Sequence, residues 1–255
     1  MADPINVAYL NESSLITDAE IAPFIAAYQE DIGQNGAPWA LGPVVLRQIP
    51  KGDPAPSGWR QQVWLDNTDQ GTSLGYHDLT IEGLGIGKIF VGTTQRDGQT
   101  PSRVGSHEIW EMLVDERLNR YTDQMPDGRQ YAVEVGDLTS LDSQGRQGLG
   151  GVLLSDIALP ATYWPNGGYP LRYSIGGALT APLPNVVPTN GAYLMWKGGA
   201  GWAGGAGAAP APFSFQAPPV TDPADFMHFQ PQFGSRRHRR IIGEANWWRS
   251  TVPVR

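Results

Sequence analysis

The stretch that decides the fold is Ser102–Glu116, SRVGSHEIWEMLVDE. Ile109, Met112, Leu113 and Glu116 recur at helical spacing, which predicts an α-helix, and His107 and Glu111 fall together on another side of it. Residues four apart share a helix face, so the imidazole at 107 and the carboxylate at 111 can grip one cation, with Glu108 one step round. This is the arrangement of an HExxH zinc helix whose second histidine is replaced by glutamate. Hydrolysis at such a centre needs three protein ligands, an open position for water and a carboxylate to take the water's proton. Glu108 is the candidate general base. The third ligand must come from elsewhere, and Glu134 or Asp137, in YAVEVGD from Tyr131 to Asp137, is the best offer. The carboxylate of that pair left unused would orient His107 through its other ring nitrogen. His77, in GYHD from Gly75 to Asp78, is a weaker candidate for ligand or substrate contact. A His/Glu pair at this spacing also occurs on solvent-facing helices, and spacing alone does not separate the two cases.

Upstream of this helix the hydrophobic period changes several times. Ile5 to Leu10 alternates as a short strand would. Thr17-Asp18-Ala19-Glu20 has the capping-box pattern, and Ile21, Phe24, Ile25, Tyr28 and Ile32 follow at helical spacing. A helix over Asp18 to Asp31 is predicted, with an irregularity at Pro23 and an end marked by Gly33, Gly36 and Pro38. Val44 to Ile49, Arg60 to Leu65, Leu74 to Thr80 and Gly87 to Val91 read as strands. The order strand, helix, four strands, helix predicts an α+β domain with a mixed sheet and a chemically marked helix after its last strands. Tyr131 to Val135 is a further short element, and Gly151 to Trp164 carries an apolar run ending in Pro160. Beyond Trp164 the helical signal stops.

Composition bounds the remaining possibilities. Among 255 residues, 32 glycines and 22 prolines exceed average usage and predict abundant loops, while nine tryptophans and 40% hydrophobic residues are ample for a core. With no cysteine, disulfides, thiolate zinc sites and cysteine nucleophiles are all excluded. Any zinc here must be held by histidine and carboxylates. The start, MADPINVAYLNESS, lacks the basic residues and apolar stretch of a secretory signal, which predicts cytoplasmic synthesis. Proline interrupts both long uncharged runs, Tyr173 to Trp196 and Gly198 to Thr221, so neither is expected to span a membrane.

Gly83 to Lys88, GLGIGK, lacks both the glycine spacing and the following Ser or Thr of a phosphate loop, and no GxSxG elbow is present. The chain divides into a domain over residues 1–197 and an arm over 198–255. The arm opens on GGAGWAGGAGAAPAP and continues with Phe213, Phe215, Phe226, Phe229, Phe233, Trp247 and Trp248 scattered among prolines. Such a segment reads as a linker followed by aromatic anchors for a neighbouring subunit. From Ser235 onward Arg236, Arg237, Arg239, Arg240, Arg249 and Arg255 stand against Glu244 alone, in a chain whose net charge is −7. A basic tail on an acidic body suits an acidic partner, and nucleic acid is a weak option because no nucleic-acid-binding motif surrounds it.

Taken in order, Gly75 to Thr80, Gly87 to Val91, Ser106-His107-Glu108 with Glu111 to Asp115, Tyr131 to Asp137, and Leu154-Ser155-Asp156 with Pro160 resemble a zincin-like (HExxE variant), metallopeptidase-like family encoded by phages, prophages and bacteria. The matching stretch covers Leu74 to Trp164. The resemblance implies a zincin-like mixed sheet whose edge strand lies beside the active-site helix and can hold an extended peptide. It implies His107, Glu111 and Glu134 as metal ligands, Glu108 as base, and Asp137 behind them. The cofactor expected is a divalent metal, zinc first. Glutamate in place of the second histidine weakens the preference for zinc over manganese or calcium and leaves bound water less acidified. Two functions follow. One is a metal-dependent peptide hydrolase acting on a peptide or protein substrate. The other is a virion structural or assembly protein on a degenerate zincin scaffold, docked on neighbouring subunits through residues 198–255.

Overall fold

The computed structural model describes residues 3–68, 73–80, 82–186, 193–198, 201–206 and 213–214. The first strand, β1 (Ile5–Asn11), leads into α1 (Asp18–Asn35). The capping box forms as its sequence requires: Glu20 N–H donates to Thr17 Oγ1 at 3.3 Å, and Thr17 N–H donates to Glu20 Oε2 at 2.8 Å. Ile21, Ile25, Tyr28 and Ile32 form the buried stripe. The helix runs through Pro23 and ends at Gly36, whose N–H returns to Ile32 O at 2.8 Å.

Four more strands complete the main sheet: β2 (Val44–Gln48), β3 (Arg60–Leu65), β4 (Gly75–Leu79) and β5 (Gly85–Phe90). The strand order is β2-β1-β3-β5-β4. The pairs β1/β2, β1/β3 and β3/β5 are parallel, and the edge strand β4 is antiparallel to β5. The sheet is therefore mixed, as the order of elements predicts, and the domain is mixed α/β. On β3 the buried residues are Gln62 and Trp64, whereas Gln61, Val63 and Leu65 are half-buried. Trp64 meets Phe24 of α1 on that face, with ring centroids 5.9 Å apart.

After a short helix, α2 (Val91–Arg96), comes α3 (Pro101–Val114), in which every residue from Ser102 to Met112 is buried. A helix buried on all sides belongs at the centre of a domain. Gly105 makes this possible, because a Cβ there would lie 2.5 Å from Tyr28 Oη and 3.0 Å from the Trp64 ring. Across the close approach Tyr28 Oη donates to Ser102 O at 2.6 Å, and Gln62 Nε2 donates to Gly105 O at 2.7 Å. The helix is thus locked to both α1 and β3, and it packs over β5 and β4.

The remainder is built from short pieces: β6 (Gln130–Tyr131), β7 (Arg146–Gln147), β8 (Leu153–Leu154) and α4 (Pro160–Tyr163). The element expected over Tyr131 to Val135 is a strand only at its first residue; Val133 to Val135 leave the sheet. A second sheet joins β6 to β9 (Tyr193–Gly198), β10 (Gly201–Ala206) and β11 (Phe213–Ser214). The β9/β10 hairpin crosses the expected boundary between residues 197 and 198, so part of the Gly/Ala-rich run read as a linker pairs as a strand. The rest of the arm, with its basic tail, lies outside the described residues. Among those described, no helix is long and apolar enough to cross a membrane.

Candidate metal centre

Three parts of the fold supply the site. His107, Glu108 and Glu111 project from the central turns of α3, His77 from the edge strand β4, and Glu134 and Asp137 from the loop after β6 and the 3-10 turn Asp137–Thr139. All six are buried, from 0% exposure at His77 and Glu111 to 6% at His107.

The loop bearing Glu134 and Asp137 is braced by the segment that follows β8. Ala158 N–H donates to Val135 O at 2.7 Å, and Tyr163 Oη donates to Glu134 O at 2.6 Å. Ser155 N–H donates to Ser106 Oγ at 2.6 Å, which ties the same segment to α3 one residue before His107. Asp156 accepts from the backbone N–H groups of Ile157 and Ala178, each at 2.9 Å, and of Gly176. Ser155, Ala158 and Tyr163 are therefore scaffold for the site, and Asp156 anchors the segment that carries them.

The donors fall into two groups that share Glu111. His107, Glu111 and Asp137 offer ligand atoms all within 4.8 Å of one another, and so do His77, Glu111 and Glu134. His107 Nε2 lies 3.3 Å from Glu111 Oε1 and 3.3 Å from Asp137 Oδ1. His77 Nδ1 lies 3.4 Å from Glu111 Oε2. At metal–ligand distances of about 2.0–2.1 Å, neighbouring donors on a tetrahedral ion stand about 3.3 Å apart, so these separations suit one cation between each pair. The residues fit a divalent metal in donor type as well, imidazole with carboxylate.

Of the residues singled out in the sequence, His107 and Glu111 come together as the helical spacing predicts. Asp137 joins them directly and approaches the same ring nitrogen as Glu111, so it does not steer the imidazole from behind. Glu134 stands instead with His77. The Nδ1 atom of His107 has no hydrogen-bond partner and faces the backbone at Gly136, where a Cβ would lie 2.5 Å from it. Gly136 is a site residue that the sequence reading passes over, although a lone glycine between Val135 and Asp137 was its signal. Its N–H also donates to Glu111 Oε1 at 3.2 Å. His77 is held from behind, its Nε2 3.3 Å from Asp115 O. A carbonyl only accepts, so Nε2 is the donor in that contact, which leaves Nδ1 as the ring atom turned toward the carboxylates.

Electrostatics inside the cluster are dominated by carboxylates. Burial by itself pulls the His107 imidazolium toward neutrality, but Glu111, Asp137 and Glu108 outweigh it and hold its pKa at about 10. Glu108 is 3% exposed, and its Oε2 has no hydrogen-bond partner. Its two oxygens lie 3.9 Å from His107 Nε2 and 3.8 Å from His77 Nδ1. The neighbouring guanidinium, Arg103, spends its Nε–H on Asp142 Oδ1 at 2.7 Å. Comparison with protein-family models, with curated proteins and with solved structures finds no match for this chain.

Proposed function

We propose that the protein is a zincin-like metalloprotein whose centre, built on His107, Glu111 and Asp137, serves hydrolysis of a peptide bond with Glu108 as general base. The observation that carries this reading is the state of Glu108, a buried carboxylate with an unpartnered oxygen beside the ligand cluster. A purely structural cation would have no use for such a group, whose burial is costly. The antiparallel edge strand β4 next to α3 supports the reading too, since an extended peptide could add to it.

The cation, when bound, supplies Lewis-acid polarisation of the scissile carbonyl and acidification of water. The chain's own residues do the rest. Glu108 takes a proton from the attacking water and returns it to the leaving amine. Glu111 and Asp137 neutralise the cation's charge and hold the His107 ring in line, while Gly136 lets the loop close on that ring.

The burial of all six residues favours a second reading, because structural metal sites are closed and catalytic ones keep an open position. In that reading the protein is a virion structural or assembly component, phage-type as the family resemblance suggests, and the metal braces the fold. Elemental analysis and peptide-cleavage assays on the wild type and Glu108→Gln decide between them. Metal in both proteins with cleavage lost in the variant supports the hydrolase. Metal in both, no cleavage by either, and a lower melting temperature after chelation supports the structural reading.

A further inference from the structure

Glu111 divides its carboxylate between two histidines: Oε1 faces His107 Nε2 at 3.3 Å, and Oε2 faces His77 Nδ1 at 3.4 Å. A single cation bound by His107, Glu111 and Asp137 leaves the second half of this arrangement unexplained. That half has its own imidazole, its own carboxylate in Glu134, and ligand atoms within 4.8 Å of one another. We propose that the cluster holds two divalent cations, the second bound by His77 and Glu134, with Glu111 bridging the pair through its two oxygens. The proposal rests on the metal-centre reading above and extends it.

Charge supports the count. Glu108, Glu111, Glu134 and Asp137 carry four negative charges when ionised, and two neutral imidazoles add none. Two divalent cations balance them, whereas one leaves an excess of two that only protons and the buried Arg103 guanidinium near Glu108 could offset. Glu108 is the independent pointer. Its side chain is 4% exposed, Oε2 is unpartnered, and its two oxygens face the two imidazoles from 3.8 and 3.9 Å, beyond hydrogen-bonding distance. A buried carboxylate set between the two halves of a site, 3.8 and 3.9 Å from their imidazoles, is placed to meet a water held between two cations. His77 also has the support from behind that metal-bound histidines receive, through Asp115 O.

Two imidazoles and three carboxylates, with Glu108 beside them, come close to the two imidazoles and four carboxylates of carboxylate-bridged di-iron and dimanganese centres in helical bundles, assembled here from a helix, a strand and a loop. That inventory suits manganese or ferrous iron, and accepts zinc. Two bound cations would supply activation of a water and polarisation of the scissile carbonyl, with Glu108 beside them to take the water's proton.

The test uses the full chain, stripped with chelator, reloaded with manganese(II) and dialysed. Metal per chain is measured by elemental analysis, and electron paramagnetic resonance reports whether the ions are exchange-coupled. Two manganese ions per chain and a coupled spectrum are expected for the wild type, with one ion and an isolated-ion spectrum for His77→Gln and for Glu134→Gln. Circular dichroism verifies that each variant is folded, and the wild-type spectrum decides the matter should either variant fail. One ion in the wild type with an isolated-ion spectrum overturns the pair but leaves the metal centre standing. No bound ion overturns both. Two ions retained in both folded variants would also overturn the assignment of His77 and Glu134.

Discussion

Gly136 lies flat against the imidazole of His107, so close that a Cβ on residue 136 would sit 2.5 Å from Nδ1 and 2.7 Å from Cγ. The ring belongs to a helix buried on all sides and cannot retreat, so the loop carrying Glu134 and Asp137 reaches the site only because residue 136 has no side chain.

Gly136→Ala should therefore damage the site from behind. The new methyl displaces either the ring or the loop, and overpacking of this kind costs about 1–3 kcal/mol. Chemical denaturation should show a loss of that size, together with reduced metal content in elemental analysis. Unchanged stability and full metal content would mean that the loop can shift freely.

Metal and proton compete for His107. With its pKa in the folded, metal-free protein near 10 against 6.5 for an unperturbed imidazole, its contribution to stability is complete below pH 6.5 and is lost as pH rises through about 10. A cation needs the neutral ring, so binding releases a proton, and affinity should rise with pH by up to about tenfold per unit between pH 6 and 9. Melting temperatures with chelator and with manganese(II) should accordingly diverge as pH increases over that range. A gap independent of pH would remove His107 from the ligand set.

Asp31 on α1 is a buried junction between three parts of the fold. Its Oδ2 accepts from Trp110 Nε1 at 2.8 Å and from Arg146 Nη2, and its Oδ1 accepts from Asn35 Nδ2 at 2.8 Å. Asp31→Ala strands a buried indole N–H and a mostly buried guanidinium, which should cost about 3–5 kcal/mol. Asp31→Asn keeps an acceptor for Trp110 and should lose less, a ranking that urea unfolding of the two variants would check.

At the start of α1, Thr17→Ala removes the hydroxyl that accepts from Glu20 N–H. A loss of about 1 kcal/mol is expected. Because the cap is exposed and Thr17 belongs to none of the elements that carry the cluster, metal stoichiometry should stay at the wild-type value.

The capping box, the buried stripe of α1 and the positions of the five main strands were legible because each depends on residues adjacent in the chain. Even so, α1 extends to Asn35, beyond the expected end at Asp31, since Gly33 is tolerated within the helix and Gly36 provides the stop. Tyr131 to Val135 looks locally like one element, whereas the strand ends at Tyr131, Ala132 makes a lone bridge to Tyr121, and the next residues turn toward the metal centre. No local pattern marks that departure, because it is driven by hydrogen bonds from Ala158 and Tyr163 more than twenty residues downstream.

The sequence by itself determined that a helix would carry His107, Glu108 and Glu111, with the imidazole and the second carboxylate on one face. That follows from the 3.6-residue period and needs no tertiary contact. It determined too that any metal would be held by nitrogen and oxygen, since there is no cysteine. Only the tertiary structure decided which carboxylate meets which histidine. Glu134 and Asp137 are three residues apart and alike in chemistry, so their assignment depends on how the loop passes Gly136. Likewise His77 enters the cluster because the edge strand β4 runs beside α3, a neighbourhood set by sheet order across more than thirty residues of chain. Side-chain convergence on the scale of 3.3 Å is a product of packing, and the periodicities that place elements do not carry it.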